Sequence, residues 1–205
     1  MNTLVASMDR FRQKGGNLDW FLSIVHRPEA GDPPIMTHSQ KLQFLCYGSP
    51  KARALCAQIR DYMLPAQAGE PYRKILFAED TVPVAWFWEL LFTGLFIDTA
   101  VLHAQLSHQE RIQIVHDFNK PKKPLAALIT MFGVSTQGTN FHEACHRVVV
   151  ITPAVNAPTE MQMWGRAIRV SVLTLVLSIL YMGMENLVQV RLTRFYRSDR
   201  NMLSK

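Results

Sequence analysis

The sequence predicts an α/β fold, a mainly parallel sheet of about five strands with helices on both faces. Two observations carry this expectation. Short runs of branched and aromatic residues alternate with helical stretches of about 10 to 15 residues, the rhythm of right-handed strand–helix–strand units. The composition is that of a packed domain, 48% hydrophobic and 19% charged over 205 residues, which excludes a disordered or fibrous chain.

The elements follow in order. Phe21 to Val25 is a short apolar run, and His26 to Pro34 is a loop rich in proline and glycine. Residues 1–48 are therefore expected as a loosely attached leader. Ser49 then reads as an N-cap with Pro50 at the first helical position. Leu55, Ile59 and Tyr62 recur at helical spacing, and Pro65 stops the helix. Lys74 to Ala78 is a buried strand and Val84 to Phe96 a buried helix. Thr99 to His103 is a second strand. Ser107 and Glu110 form a capping-box pattern that opens a helix with Ile112, Val115 and Phe118 on one face. Ala126 to Met131 and Arg147 to Thr152 are the third and fourth strands. Pro158 opens a helix through about Arg169, Leu173 to Leu180 is a fifth strand, and Met184 to Arg197 is read as a closing helix. The expected organisation is thus a leader over 1–48, one domain over 49–183, and a basic C-terminal helix or tail over 184–205.

The formal net charge of +6 favours an anionic partner such as nucleic acid. Three cysteines, Cys46, Cys56 and Cys145, are odd in number and lack CxxC spacing, which excludes a disulfide scaffold and fits a reducing compartment. No apolar signal core stands in Met1 to Phe21, so no secretory signal is visible. The longest uncharged apolar run, Val170 to Met184, would reach only about 22 Å as a helix, against a hydrocarbon core of about 30 Å. No membrane span is expected.

Two segments could carry chemistry. In Glu160 to Arg169, helical geometry places Gln162, Arg166 and Arg169 within about 60° of one another. Met161, Trp164 and Ile168 form an apolar stripe roughly 140° away, expected to pack. Paired guanidiniums on a fixed helix suit a phosphate; the alternative is a solvated surface stripe. Gly133 to Phe141, directly after a strand, could hold a phosphate on backbone N–H groups, or be a plain strand-to-helix turn. His142, Cys145 and His146 form a lone cluster without the second ligand pair that structural zinc needs, so no metal is expected. For the arginines at 191, 194, 197 and 200 two readings stand, contact with nucleic acid and a solvated helix.

As an ordered set these segments resemble the second RecA-like lobe of superfamily 2 helicases, nearest to the Swi/Snf-type DNA-dependent ATPases, including fungal members. Ser49-Pro50-Lys51 resembles the family's lead-in, and Lys74 to Phe77 its motif IV. Leu102 to Asn119, with Ser107, Arg111 and Phe118, is similar to the "G-S-x-x-x-x-R…F" stretch. Gln137 to Phe141 matches "xGxNL" of motif V, and Gln162 to Arg169 matches "QxxGRAxR" of motif VI. The cover runs from Ser49 to Val172. Two positions depart from the pattern. Val172 stands where motif VI is usually followed by glutamine, and Met131 or Phe132 where motif V begins with a hydroxyl residue.

The resemblance implies roles. Arg166 and Arg169 would be arginine fingers reaching ATP held by a first lobe, with Gln162 and Gly138 beside the nucleotide. Asn140, Ser107 and Arg111 would face DNA. The sequence has no GxxxxGK[ST] loop and no Asp-Glu-x-x box. ATP and Mg²⁺ would therefore need a complementary first lobe, in cis or in trans, and the chain alone would be inactive. Double-stranded DNA, held weakly by this chain alone, and a nuclear location are further implications. Two functions stand at this point: the second lobe of an ATP-driven DNA translocase or chromatin remodeller, and a non-catalytic DNA- or protein-binding remnant of one.

Overall fold

The computed structural model describes residues 17–63, 73–135, 140–141, 143, 145–167, 177–182 and 187–192. Its helices are α1 (Leu18–Val25), α2 (His38–Tyr47), α3 (Pro50–Gln58, continued by a π-helical turn, Ile59–Met63), α4 (Val82–Gly94), α5 (His108–Asn119), the single turn α6 (Phe132–Ser135) and α7 (Ala157–Ala167). Its strands are β1 (Lys74–Ala78), β2 (Thr99–Leu102), β3 (Ala127–Thr130), β4 (Cys145–Val150), β5 (Leu177–Met182) and β6 (Leu187–Leu192).

The strands form one six-stranded sheet in the order β2-β3-β1-β4-β5-β6. β1 to β5 run parallel, and β6 joins β5 antiparallel at the edge. The five expected parallel strands are thus present. Within the helix expected over 184–197, the described residues 187–192 are strand β6, and the others lie outside the described residues. In β6, Val188, Val190 and Leu192 alternate with Gln189 and Arg191, a period of two that suits a strand and not a helix.

Chain direction explains the two-sided cover. The step from β1 to β2 passes over β3, and the step from β2 to β3 returns, so right-handed connections put α4 and α5 on opposite faces. Side chains agree. Phe77 packs against Phe92 of α4 at 4.7 Å between ring centroids, whereas Lys74 lies over the ring of Phe118 in α5. Positions 74 and 77 differ by an odd number on one strand and so face opposite ways. β1 is buried along its whole length.

Helix starts follow the capping signals. Ser49 accepts from the Ala52 N–H at 3.1 Å, with Pro50 in the first turn. Ser107 and Glu110 exchange hydrogen bonds with each other's backbone N–H, at 3.2 and 2.8 Å. On α5 the inward residues are Phe118, Val115 and Ile114; Ile112, expected on the same face, is exposed.

The region expected as a loose leader is, from residue 17 onward, part of the packed body. Asn17 caps α1, and Thr37 with Gln40 makes a capping box for α2. Leu22 and Leu45 are buried in the common core, with Leu18, Phe21 and Leu42 packed beside them. α1 and α2 meet the end of α4 at Gly94, where a Cβ would come within 3.0 Å of Leu42 and 3.3 Å of Leu18. The His38 ring nitrogen bonds the Gly94 carbonyl at 2.6 Å. Apolar area removed from water, at about 25 cal/mol per Å², ties these helices to the sheet.

Candidate functional site

In a parallel sheet the loops beyond the strand carboxyl ends converge on one edge, where ligands bind. Ser107 and Arg111 follow β2 and the helix bearing Gln162 and Arg166 follows β4, so both segments leave from that edge, whereas Asn140, late in the connection from β3 to β4, lies against the end of α5 at the opposite edge. With strands about 4.8 Å apart, the β2 loop lies about 14 Å from the β4 end. Ser107 with Arg111 and Gln162 with Arg166 therefore form two groups along that edge, separated by β3 and β1.

At the β2 end, Ser107 and Arg111 hold one loop. The Ser107 hydroxyl caps α5, and the Arg111 guanidinium donates to the carbonyls of Leu106 at 2.9 Å and Ala104 at 3.2 Å. His103, directly after β2, is buried. The Arg111 side chain remains partly exposed. Ser107 thus has a local structural role, and Arg111 stiffens the turn that presents it.

After β3 the chain makes the short turn α6, with Phe132 and Val134 buried and Gly133 exposed. Gly138 lies outside the described residues. Asn140 is exposed, and its carbonyl accepts from the buried Asn119 side-chain amide at 2.7 Å. Phe141 next to it is fully buried, edge-on to Phe118. Two anchors on the C-terminal side of its Cα thus hold Asn140 against the end of α5.

α7 begins at Asn156, whose side chain accepts from the Thr159 N–H at 3.0 Å and the Thr159 hydroxyl at 2.8 Å. Glu160 is buried and accepts from the Ala154 N–H at 2.7 Å, folding the loop after β4 back on the helix. Met163 is fully buried. The packing face is therefore Glu160 and Met163. Met161 of the expected stripe is 64% exposed, while Ile168 and the side chain of Trp164 lie outside what is described. A helix carrying Met161, Met163 and Trp164 offers more than one apolar stripe, and the Glu160–Ala154 bond selects among them. Gln162 is exposed. Helical geometry sets Gln162 and Arg166 about 100° and 60° from Met163, on the same flank of the helix. The backbone of Arg166 is in α7, and Arg169 lies outside the described residues. Pro153, Val155 and Met161 are exposed around this end.

A feature that sequence reasoning missed sits between the two groups. Glu79, immediately after β1, is fully buried. One carboxylate oxygen accepts from the N–H groups of Asp80 and Thr81, both at 3.1 Å. The other accepts from the Thr152 hydroxyl at 2.8 Å. Beside it, Lys51 donates to the Ile151 carbonyl at 3.0 Å. The signal was an acidic residue directly after the apolar run Ile75 to Ala78. Glu79 fixes the exit of β4, and so the approach to α7.

At the opposite edge, Lys74 is 4% exposed and donates to the carbonyls of Lys120 at 2.7 Å and Asp117 at 3.3 Å, at the end of α5. Burial pulls its pKa down, and the helix-end carbonyls offset that penalty. This lysine is structural. Among the described residues no three His, Cys, Asp or Glu side chains group to hold a metal ion. No described helix is long and apolar enough to cross a membrane.

A family model described as the helicase conserved C-terminal domain matches residues 51–171. A crystal structure of the C-terminal part of the Fun30 ATPase domain is similar with a TM-score of 0.57 and 18% sequence identity, over 71% of this chain. At that identity the likeness is one of fold, and this chain spans 50% of that chain's length. No curated protein sequence matches.

Proposed function

The chain belongs to the helicase conserved C-terminal domain family, and from that membership we propose that it acts as the second RecA-like lobe of a Swi/Snf-type DNA-dependent ATPase. The observation that carries this reading is the match of residues 51–171 to the family, within which α7, bearing Gln162 and Arg166, leaves the carboxyl edge of the sheet after β4. In this reading Arg166 and Arg169 donate to the phosphoryl group in flight, where charge spreads over its oxygens. Gln162 and Gly138 line the nucleotide side. Asn140, Ser107 and Arg111 meet the DNA backbone, which gives weak binding to double-stranded DNA by this lobe alone. The reaction is ATP hydrolysis coupled to movement on DNA or remodelling of chromatin, in the nucleus.

The groups that hold ATP and Mg²⁺ come from a first lobe in this reading, since the present sequence has no phosphate-cradling GxxxxGK[ST] loop or Asp-Glu-x-x box. The exposed Val155 and Met161 beside α7 suit contact with that lobe. The second reading, a non-catalytic remnant, is favoured by Val172 and by Met131-Phe132, where the family pattern has glutamine and a hydroxyl residue. The deciding experiment supplies a first lobe from a related ATPase, fused or in trans, and measures DNA-stimulated ATP turnover. The motor reading expects turnover that falls by about 10³-fold or more in Arg166→Ala, the scale of a lost arginine finger. Absence of turnover in the parent, or equal turnover in the variant, supports the remnant.

A further inference from the structure

The corner between α2 and α3 carries two thiols that the proposed function does not use. Cys46 lies in the last turn of α2 and Cys56 in the last turn of α3, joined through Gly48 and Ser49. Their sulfurs are 3.8 Å apart, and both side chains are partly exposed. Arg53 spans the same corner, donating to the carbonyls of Cys46 at 3.1 Å and Tyr47 at 2.6 Å. The third cysteine, Cys145, is fully buried in β4.

We propose that Cys46 and Cys56 form a modification site, a dithiol that a hydroperoxide converts to an intramolecular disulfide joining α2 to α3. The sulfurs must close from 3.8 Å to about 2.05 Å, a movement within reach of side-chain rotation and a small shift at the corner. The two thiols have distinct roles. The hydrogen bond from Cys56, with help from the Arg53 guanidinium, lowers Cys46 to about 7 against the opposing effect of burial. The same hydrogen bond, with burial, pushes Cys56 up, so it stays protonated. The negative end of α2 works against a thiolate at Cys46. Arg53 occupies that end and offsets it. An accessible low-pKa thiol beside a second thiol is the arrangement of a peroxide-responsive pair.

The chemistry balances in two steps. The Cys46 thiolate attacks one oxygen of the hydroperoxide. The O–O bond breaks, Cys46 becomes a sulfenic acid, and the departing alkoxide or hydroxide takes a proton from water. The Cys56 sulfur then attacks the sulfenic sulfur, the S–O bond breaks, and water leaves with the Cys56 proton. Two electrons pass from the thiols to the peroxide. The bridge locks the helix whose first turn plants Lys51 on the exit of β4, so oxidation stiffens the side of the sheet that leads to α7.

The test treats the full chain with a small excess of hydrogen peroxide, with intact mass, peptide mapping and dimedone trapping as readouts. The parent should lose the mass of two hydrogen atoms, yield a Cys46–Cys56 linked peptide, and recover with dithiothreitol. Cys56→Ser should instead accumulate dimedone label at Cys46, and Cys46→Ser should lose peroxide reactivity at least tenfold. Cys46→Ala, which removes the thiol without adding a hydroxyl, repeats the last arm should the serine variant misfold. Retention of both thiols in the parent, bridging only between two chains, or equal dimedone labelling of Cys56 in Cys46→Ser would each overturn the proposal.

Discussion

The Thr152 hydroxyl donates to the buried carboxylate of Glu79 at 2.8 Å, tying the end of β4 to the end of β1. Glu79 also takes two backbone N–H groups, so its loss leaves three donors without their acceptor. Glu79→Ala is expected to lower stability by about 2 to 4 kcal/mol, and Thr152→Val by about 1 kcal/mol. Urea unfolding of the single and double variants checks this. A coupling energy near zero in the cycle would mean that the bond contributes nothing.

Leu22 and Leu45 test whether the first two helices belong to the core. Both are buried, so Leu22→Ala and Leu45→Ala should each cost about 2 to 4 kcal/mol. The loss should appear in one cooperative transition seen by both circular dichroism and tryptophan fluorescence. A change below about 0.5 kcal/mol would return residues 17–48 to the status of an appendage.

Cys145 sets an alkaline limit on stability. Burial pushes its thiol up to about 12 from the ordinary 9.0. In the unfolded chain the thiol ionises near its ordinary value, while in the folded protein it stays neutral. The contribution is fully present below about pH 9 and is lost as pH rises toward 12, by up to about 1.4 kcal/mol per pH unit. Cys145→Ala should flatten that part of the stability profile, measured by denaturant melts from pH 8 to about 11. Parallel profiles for parent and variant would refute the assignment.

On α7 the two flanks should respond oppositely. Met163 is fully buried, so Met163→Ala should cost about 2 to 4 kcal/mol of stability. Gln162→Ala, on the exposed flank, should leave the melt within about 0.5 kcal/mol of the parent. Thermal or urea melts of the pair decide it, and an early melt for Gln162→Ala would make that residue part of the packing.

DNA binding by the isolated chain should be weak and strongly salt-dependent. Fluorescence anisotropy with a short duplex should give a log–log slope of about −0.9 for each phosphate contacted. A salt-insensitive curve, or no binding at low salt, would remove DNA from the partners of this lobe.

Much of the fold could be read from local signals with a single physical meaning. Ser49-Pro50 and Ser107…Glu110 start helices because side-chain oxygens take the first free N–H groups, and both do so here. Strands β1 to β4 stood out as apolar runs because both faces of a parallel strand are covered. The first two helices were harder. α2 contains His38, Ser39, Gln40 and Lys41, and its apolar face is confined to a few positions. Its start was nevertheless written in Thr37…Gln40, the same capping pattern recognised at Ser107. The last strand is the exception: residues 184–197 read as a closing helix, although Val188, Val190 and Leu192 alternate with Gln189 and Arg191.

The candidate site was legible as an ordered series of motifs, and the rule that strand carboxyl ends share one edge places Ser107, Arg111 and α7 but not Asn140, which the chain carries back to the end of α5. Which side of α7 packs was not legible. That choice depends on Glu160 reaching the Ala154 N–H, a contact invisible to hydrophobic periodicity. Glu79 was missed for a similar reason. A carboxylate buried on backbone N–H groups and a distant threonine has no spacing of its own in the sequence.

The position of β1 has a consequence for the order in which the chain acquires structure. β1 lies at the centre of the sheet, yet neither neighbour is its successor in sequence. One is β3, and the other, β4, brings Cys145 to Lys74 from 71 residues away. While the chain emerges from the ribosome, the apolar Ile75, Leu76 and Phe77 have no strand to pair with until Ala127 and its neighbours are synthesised. In that interval α4 can shield one side of β1, but both hydrogen-bonding edges stay open. Synthesis that stalls before β3 leaves a sticky intermediate, and loop closure over this span sets the pace of folding.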